Sequence, residues 1–470
     1  MLNKIKVLPL LLCSGFVLQG CNGSSDEPST VDWPKQTAYA GANVYAGLTA
    51  EGAASAALFA GVKATVVASG GTGDLCDVKV SRITYDTVGG KGEAATSSGV
   101  VMAPVPTGDN ELCSGARPVV LYAHGTNTDT NYDLSQFAID STNPASSEAV
   151  LLLASYASQG YVVVAPNYAG YADSNLGYHP YLDEAQQSTE MIDALEYARS
   201  YSTLLEATMS SDLFVSGLSQ GGYVAMATHK ALEAKDETVT GSMPVSGPYA
   251  TLDFMDTVFA GFVNGGATQF APMLLTALDR ANDIYDEPSE VYAEQYAGFA
   301  DNALPRPGGF DESGLPEYQL FSGEAPAGAQ NTAAFGEDHL IADSFRTSYV
   351  TDYLTNGAEP VTQVRSLLKD ADLRDSWAPS SPLLMCGAST DPVVYHSINS
   401  DAMATHWSPY VAGGLVINLD LTDALNPDYP FVGVQQAWQS ADIGLADIHG
   451  QTGVYCSFAG LALFNQLKSN

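Results

Sequence analysis

A chain of 470 residues with 46% hydrophobic residues is long enough for one large enzyme domain with insertions, or for two domains. Its 53 acidic against 18 basic residues give a formal net charge of -35. Such a surface repels nucleic acid and anionic lipid, so nucleic-acid partners are excluded and the charge is read as solubility, not as a metal-binding signal.

Lys4 and Lys6 open a basic segment, and an apolar run too short to span a bilayer as a stable helix follows from Val7. Residues 1–20 therefore read as a targeting signal, and the small polar residues 21–32 as a flexible tether. Residues 78–88 and 94–105 alternate polar and apolar, as half-buried antiparallel strands do. The apolar runs at 118–123 and 160–166 read as fully buried strands, with helical spacing between them at 147–158. A helix is predicted over 183–201, with Met191, Leu195 and Ala198 on one face. A short apolar strand around Leu213-Phe214-Val215, a helix from Tyr223 to Ala234 and a strand at 239–245 follow.

This alternation implies an α/β fold with a mostly parallel central sheet flanked by helices. Residues 249–340 break it: helical stretches near 252–263 and 270–283 lead into Gly- and Pro-rich loops at 302–336, which reads as an inserted, mainly helical cap. The domain plan is thus a core at 33–248, a cap at 249–340 and the rest of the core at 341–470. In the last part, helices are expected at 338–356 and 360–375, strands at 381–386 and 415–419, and a closing helix at 452–467.

Gly217-Leu218-Ser219-Gln220-Gly221 lies between the predicted strand and helix. A serine at a strand-to-helix elbow sits in a tight turn with its hydroxyl exposed, and only small neighbours leave room for that turn. The helix N-terminus behind it aims amide groups at the reacting centre. A serine hydroxyl needs a base, and the base needs a carboxylate to orient it. Asp391 stands just past the predicted strand at 381–386, where ligand-facing residues of open α/β sheets lie; its plainer reading is a turn cap before Pro392. Of the later histidines, His449 is placed in a loop after the last strand that can reach back to the elbow. His396 is too close to Asp391 and is expected on the next helix, His406 ends that helix, and His339 heads a helix beside the cap. His229 is read as structural or exposed. The oxyanion donors expected are the backbone N–H of Gln220 and that of Thr126, with Gly125 as the alternate. His124 is expected to support that loop.

Six cysteines are present. Cys13 falls in the signal and Cys21 at its end, leaving Cys76, Cys113, Cys386 and Cys456. An even number in an exported chain suggests two disulfides. The pairs Cys76–Cys113 and Cys386–Cys456 are favoured over the other arrangements because each lies in one half of the sequence.

The order Ser219, Asp391, His449, with His124-Gly125 upstream, resembles the α/β-hydrolase superfamily over nearly all of 78–467. More narrowly, Ala165-Pro-Asn-Tyr-Ala-Gly-Tyr-Ala-Asp-Ser174 and His179-Pro-Tyr-Leu182 resemble the secretory lipases of the yeast lipase A type. That resemblance implies a cap over the site, two disulfides and ester substrates; a serine nucleophile with its base and acid needs no metal or organic cofactor. Asp391 and His449 stand further apart than the pattern leads one to expect, which implies an extra loop near 422–446. The residues Phe254, Phe259, Phe262, Phe270 and Met273 are candidates for an acyl pocket or for cap core. Leu18-Gln19-Gly20-Cys21 resembles a bacterial lipobox, which implies lipid on Cys21 and, since Asn22 replaces the retention aspartate, an outer-membrane anchor. The expected activity is a serine esterase or lipase acting on a small-molecule or lipid ester. The elbow Ser219-Gln-Gly-Gly-Tyr223 also resembles prolyl-oligopeptidase-type peptidases, although no propeller-like repeats precede the first strand. A binding protein on the same scaffold is the third reading, opposed by the complete Ser, Asp and His set.

Overall fold

The computed structural model describes residues 75–105, 111–136 and 143–469, with the backbone of two short strands at 35–39 and 42–45. The targeting signal, Cys21 and the tether lie outside the described residues. Ten strands form one sheet in the order β1-β2-β3-β4-β6-β5-β7-β8-β9-β10. They are Lys35–Tyr39 (β1), Ala42–Tyr45 (β2), Asp77–Val88 (β3), Ala94–Val105 (β4) and Arg117–Ala123 (β5), then Val162–Pro166 (β6), Met209–Leu218 (β7), Gly241–Val245 (β8), Leu383–Gly387 (β9) and Val416–Asp420 (β10). The strands from β5 to β10 run parallel; β4 joins β6 antiparallel, and β3, β2 and β1 extend that edge.

Val119, Val120 and Leu121 in β5, Val162 to Val164 in β6, and Leu213 to Val215 in β7 are all fully buried. Continuous apolar runs are what strands covered on both faces require. The covering helices are Ser146–Ser155 (α1), Glu184–Ser200 (α2), Gln220–Ala234 (α3) and Ile448–Leu467 (α4 here, the last of the chain); α2 packs on α3, and α1 on α4. Cys76–Cys113 ties the residue before β3 to the turn before β5, and Cys386–Cys456 ties β9 to α4. No helix among the described residues is long and apolar enough to cross a membrane.

Three features differ from the sequence reading. The strands β1 and β2 precede residue 78; runs of four and five residues with mixed polarity carry too little periodicity to announce themselves. The last helix starts at Ile448 rather than 452, so His449 lies in its first turn and not in a loop. Gly450 and Gly453, poor helix formers, hid that turn; a side-chain carbon at Gly453 would come within 2.6 Å of Leu218 Cδ2, so the helix packs directly on the elbow's neighbour there. Residues 422–446 hold not only loop but also the helix Val432–Ser440.

Between β8 and β9 the chain leaves the sheet. Helices Thr251–Phe259 and Ala267–Asn282 come first, then a long irregular stretch with brief helical turns, then Asp343–Asn356 and Gln363–Asp370. The last two pack on Thr251–Phe259, so they belong to the same roof. That roof is pinned by a buried guanidinium. Arg365 donates from Nε and Nη2 to the two oxygens of Asp256, both at 2.8 Å, and its Nη1 lies 3.3 Å from Asp352.

Candidate active site

Ser219 follows the last residue of β7 and caps α3 with φ 62° and ψ -122°. A left-handed φ is costly for a residue with a side chain, and it persists here because the surroundings over-determine it. The Ser219 N–H is fixed on the Val245 carbonyl at 2.8 Å. A side-chain carbon at Gly217 would sit 2.3 Å from the Gly221 carbonyl, and one at Gly221 would sit 2.0 Å from that of Ala123. The glycines are therefore demanded by backbone packed on backbone.

Asp391 is buried in the loop after β9. Its Oδ1 accepts from the backbone N–H groups of Val393 and Val394 at 2.8 and 3.1 Å, and its Oδ2 lies 2.7 Å from His449 Nδ1. A carboxylate so held accepts from Nδ1–H, which leaves the Nε2 lone pair unprotonated. His449 Nε2 is buried and has no hydrogen-bond partner among the described residues. Two further ties bring this turn to the elbow. Thr452 Oγ1 donates to the His449 carbonyl at 2.6 Å and meets Ser246 Oγ, just past β8, at 3.2 Å. Gly453, one turn on, packs on Leu218, the neighbour of Ser219.

On the other side of Ser219 runs the loop after β5. A side-chain carbon at Gly125 would lie 4.0 Å from Ser219 Cβ. The Gly125 N–H, however, donates to Glu148 Oε1 at 3.2 Å, so Gly125 is not the alternate oxyanion donor. Glu148, on α1, also accepts from the hydroxyls of Tyr122 and Tyr132. The Thr126 N–H makes no hydrogen bond among the described residues. The N–H of Gln220, in the first turn of α3, has no intrahelical partner. His124 is buried between the rings of Tyr132 and Tyr168, at centroid distances of 4.3 and 4.0 Å. Burial holds its pKa below the ordinary histidine value. Its ring nitrogens face the carbonyls of Gly125 and Asn167 at 2.6 and 3.0 Å, so it supports the loop.

The other histidines lie elsewhere. His396 sits in the loop before the helix Ser400–His406 rather than on it, 3.4 Å from Asp401. His406 Nε2 meets the Asp375 carbonyl at 2.8 Å, and His339 Nδ1 meets that of Glu337 at 3.1 Å. His229 is buried among Ser242, Ser381 and Glu233, whose carboxylate it helps hold down at about 2 despite the opposing effect of burial.

A cavity opens from Ser219 and Gln220 and runs beneath the roof helices. Its walls include Phe254, Phe259, Phe270, Leu274, Leu278 and Leu320. Of the five residues named from the sequence, Phe254, Phe259 and Phe270 line it; Met273 is buried outside the lining and Phe262 is exposed. Asn264 also lines the cavity, and its Nδ2 donates to the Val393 carbonyl at 2.8 Å, bracing the Asp391 loop from the roof. Nothing in the sequence around Asn264 marks that contact. Among the described residues no cluster of His, Cys, Asp and Glu could hold a metal ion.

A family model described as the prolyl oligopeptidase family matches residues 147–259, from α1 through the elbow to the first roof helix. No curated protein matches the chain. Among solved structures, the rice cell wall degrading esterase LipA from Xanthomonas oryzae is similar at 25% identity and a TM-score of 0.63, over 82% of this chain and 89% of that one. A ligand-bound form of the same esterase gives 25% identity and a TM-score of 0.65, over 89% and 95%. A putative hydrolase from Legionella pneumophila shares the fold, with a TM-score of 0.58 at 22% identity over 80% and 89% of the two chains. Its sheet order, its elbow and these likenesses together show the α/β-hydrolase fold, and the chain resembles the esterase LipA.

Proposed function

We propose that the protein is a serine carboxylic-ester hydrolase. Ser219 is its nucleophile, His449 its base and Asp391 the orienting acid. The observation that carries this reading is the Asp391–His449 bond, which leaves His449 Nε2 buried and unpartnered in the turn packed on the elbow. In this account Ser219 Oγ attacks the ester carbonyl as its proton passes to His449 Nε2, and the N–H groups of Gln220 and Thr126 receive the oxyanion. The imidazolium formed is stabilised by Asp391 and returns the proton to the leaving alcohol. Water, deprotonated by the same nitrogen, then cleaves the acyl-enzyme and regenerates Ser219. The apolar cavity takes the acyl chain, since its walls offer hydrocarbon and aromatic surface beside the nucleophile.

The match over residues 147–259 favours a second reading, a peptidase of the prolyl-oligopeptidase type. Against it, the likeness to LipA extends over 82% of the chain, well beyond the matched segment. A p-nitrophenyl ester series from acetate to palmitate, run beside an aminoacyl-proline amide, separates the two. Ester turnover that needs Ser219, Asp391 and His449 supports the esterase; amide cleavage without ester turnover supports the peptidase.

We further propose that the chain is an exported bacterial lipoprotein, anchored through Cys21 at the outer membrane. Its support is the sequence alone, where Gly20-Cys21 closes a basic and then apolar segment. Radiolabelled palmitate incorporated by wild type and lost in Cys21→Ser is the expected result; equal labelling of both contradicts it.

A further inference from the structure

The two oxyanion donors of the proposed esterase come from different places, Gln220 from the start of α3 and Thr126 from the loop after β5. Both must lie about 2.7–3.1 Å from one developing oxygen. One short turn, His179-Pro180-Tyr181, touches both residues.

His179 Nδ1 lies 2.9 Å from the Ala169 carbonyl, an acceptor, so Nδ1 carries the proton and Nε2 offers a lone pair. Gln220 Nε2 donates to that lone pair at 2.6 Å. The imidazole is locked in place: it stacks on Tyr168 at 5.5 Å and meets Tyr171 edge-on at 4.8 Å. Complete burial pushes its pKa down to about 3, which keeps it neutral and an acceptor through the working range of an enzyme. Behind it, the Ala169 N–H donates to Glu190 Oε2 at 2.9 Å, and Gln186 Nε2 holds the same oxygen at 3.1 Å. The backbone crosses itself there: Gly170 has φ 94°, and a side-chain carbon on it would lie 2.5 Å from the Tyr178 carbonyl. The other end of the turn reaches the second donor. Tyr181 Oη is 2.9 Å from Thr126 Oγ1, and Tyr181 lines the cavity beside Ser219.

We infer that the His179–Tyr181 turn is a gauge for the oxyanion hole, with His179 fixing Gln220 and Tyr181 fixing Thr126 as positioning residues. The inference rests on the esterase reading. It places the bracing chain from Glu190 in α2, through Ala169 and His179, to the residue after the nucleophile.

Tyr181→Phe removes one hydroxyl and keeps the ring; His179→Phe keeps the stacking and removes the acceptor. The substrate is p-nitrophenyl butyrate, and the probe is a trifluoromethyl ketone, which forms a tetrahedral adduct with an active serine. Each variant is expected to lower kcat about tenfold, a fraction of the effect of deleting a donor outright, with KM changed less than about twofold. Inhibition by the ketone weakens by the same factor as kcat. A kcat and ketone affinity equal to wild type in Tyr181→Phe overturns the inference, as does a rise in KM alone. Tyr181→Phe decides the matter where His179→Phe does not fold. Ser219→Ala run alongside separates the two levels. Full activity in Ser219→Ala overturns the esterase reading and the gauge with it, whereas its loss beside unaffected turn variants overturns the gauge alone.

Discussion

Around Ser219 the floor of the site is backbone against backbone. Gly217 and Gly221 press on carbonyl oxygens, the Ser219 N–H is bonded across to β8, and the Asp391 carboxylate is held by two amides and one imidazole. Above it the roof is side chain against side chain. Phe259 stacks on Tyr349 at 4.0 Å, Arg346 lies over the Phe321 ring at 4.1 Å, and Arg365 is buried between Asp256 and Asp352. Backbone contacts leave no slack, so changes in the floor should act on rate. Side-chain contacts can be repacked, so changes in the roof should act on stability and on which ester fits.

The largest effects belong to the floor. Ser219→Ala and His449→Ala should each lower kcat by about 10⁶-fold, and Asp391→Asn by about 10⁴-fold, with the fold intact by circular dichroism. Gly221→Ala should follow. Its new methyl would lie 2.0 Å from the Ala123 carbonyl, and displacing the elbow by about an ångström should lower kcat about 100-fold. A Gly221→Ala enzyme with wild-type kcat would break the contrast. In the roof, Arg365→Ala leaves the buried Asp256 without its bidentate partner, although Asp352 keeps its bonds from Asn356, Val361 and Thr362, and should lower the free energy of urea unfolding by about 3–5 kcal/mol, while the folded enzyme keeps its turnover of acetate. Leu274→Trp should fill part of the cavity and lower the octanoate-to-acetate ratio of kcat/KM about tenfold, leaving acetate itself near wild type.

The last effect is on stability against pH. His179 titrates near its reference value of 6.5 when unfolded and at about 3 when folded. Between these values the unfolded chain binds a proton that the native protein refuses. The group's contribution is therefore fully present above pH 6.5 and lost as pH falls toward 3, by at most about 1.4 kcal/mol per pH unit. His179→Phe should remove that share of the slope. Equal slopes for variant and wild type from pH 6.5 to 4 would contradict a neutral buried His179.

The same contrast explains what could be read from the sequence. Gly217 is pressed by the carbonyl of Gly221 within the same short motif, so that spacing announces the elbow even though Ala123, which presses on Gly221, is remote, and buried strands are continuous apolar runs that mark where Asp391 must emerge. The disulfides Cys76–Cys113 and Cys386–Cys456 follow from each pair lying in its own half of the chain. Long-range polar contacts left no such mark. The Gly125 N–H is engaged by Glu148 on α1, and the hold of His179 on Gln220 spans 41 positions, so neither could be read from neighbours. The roof was legible as apolar but not as a wall: Phe270 and Met273 share one helix, yet only Phe270 lines the cavity. Burial of hydrophobic side chains looks alike in sequence whether they face a core or a substrate.

The central claim is that Ser219 is the nucleophile and His449 activates it. The most direct measurement is labelling with a fluorophosphonate, followed by mass mapping of the modified peptide. The account predicts one adduct on the peptide containing Ser219, strongly slowed in His449→Ala and absent in Ser219→Ala. An adduct on another residue, or labelling of wild type and His449→Ala at the same rate, would contradict it.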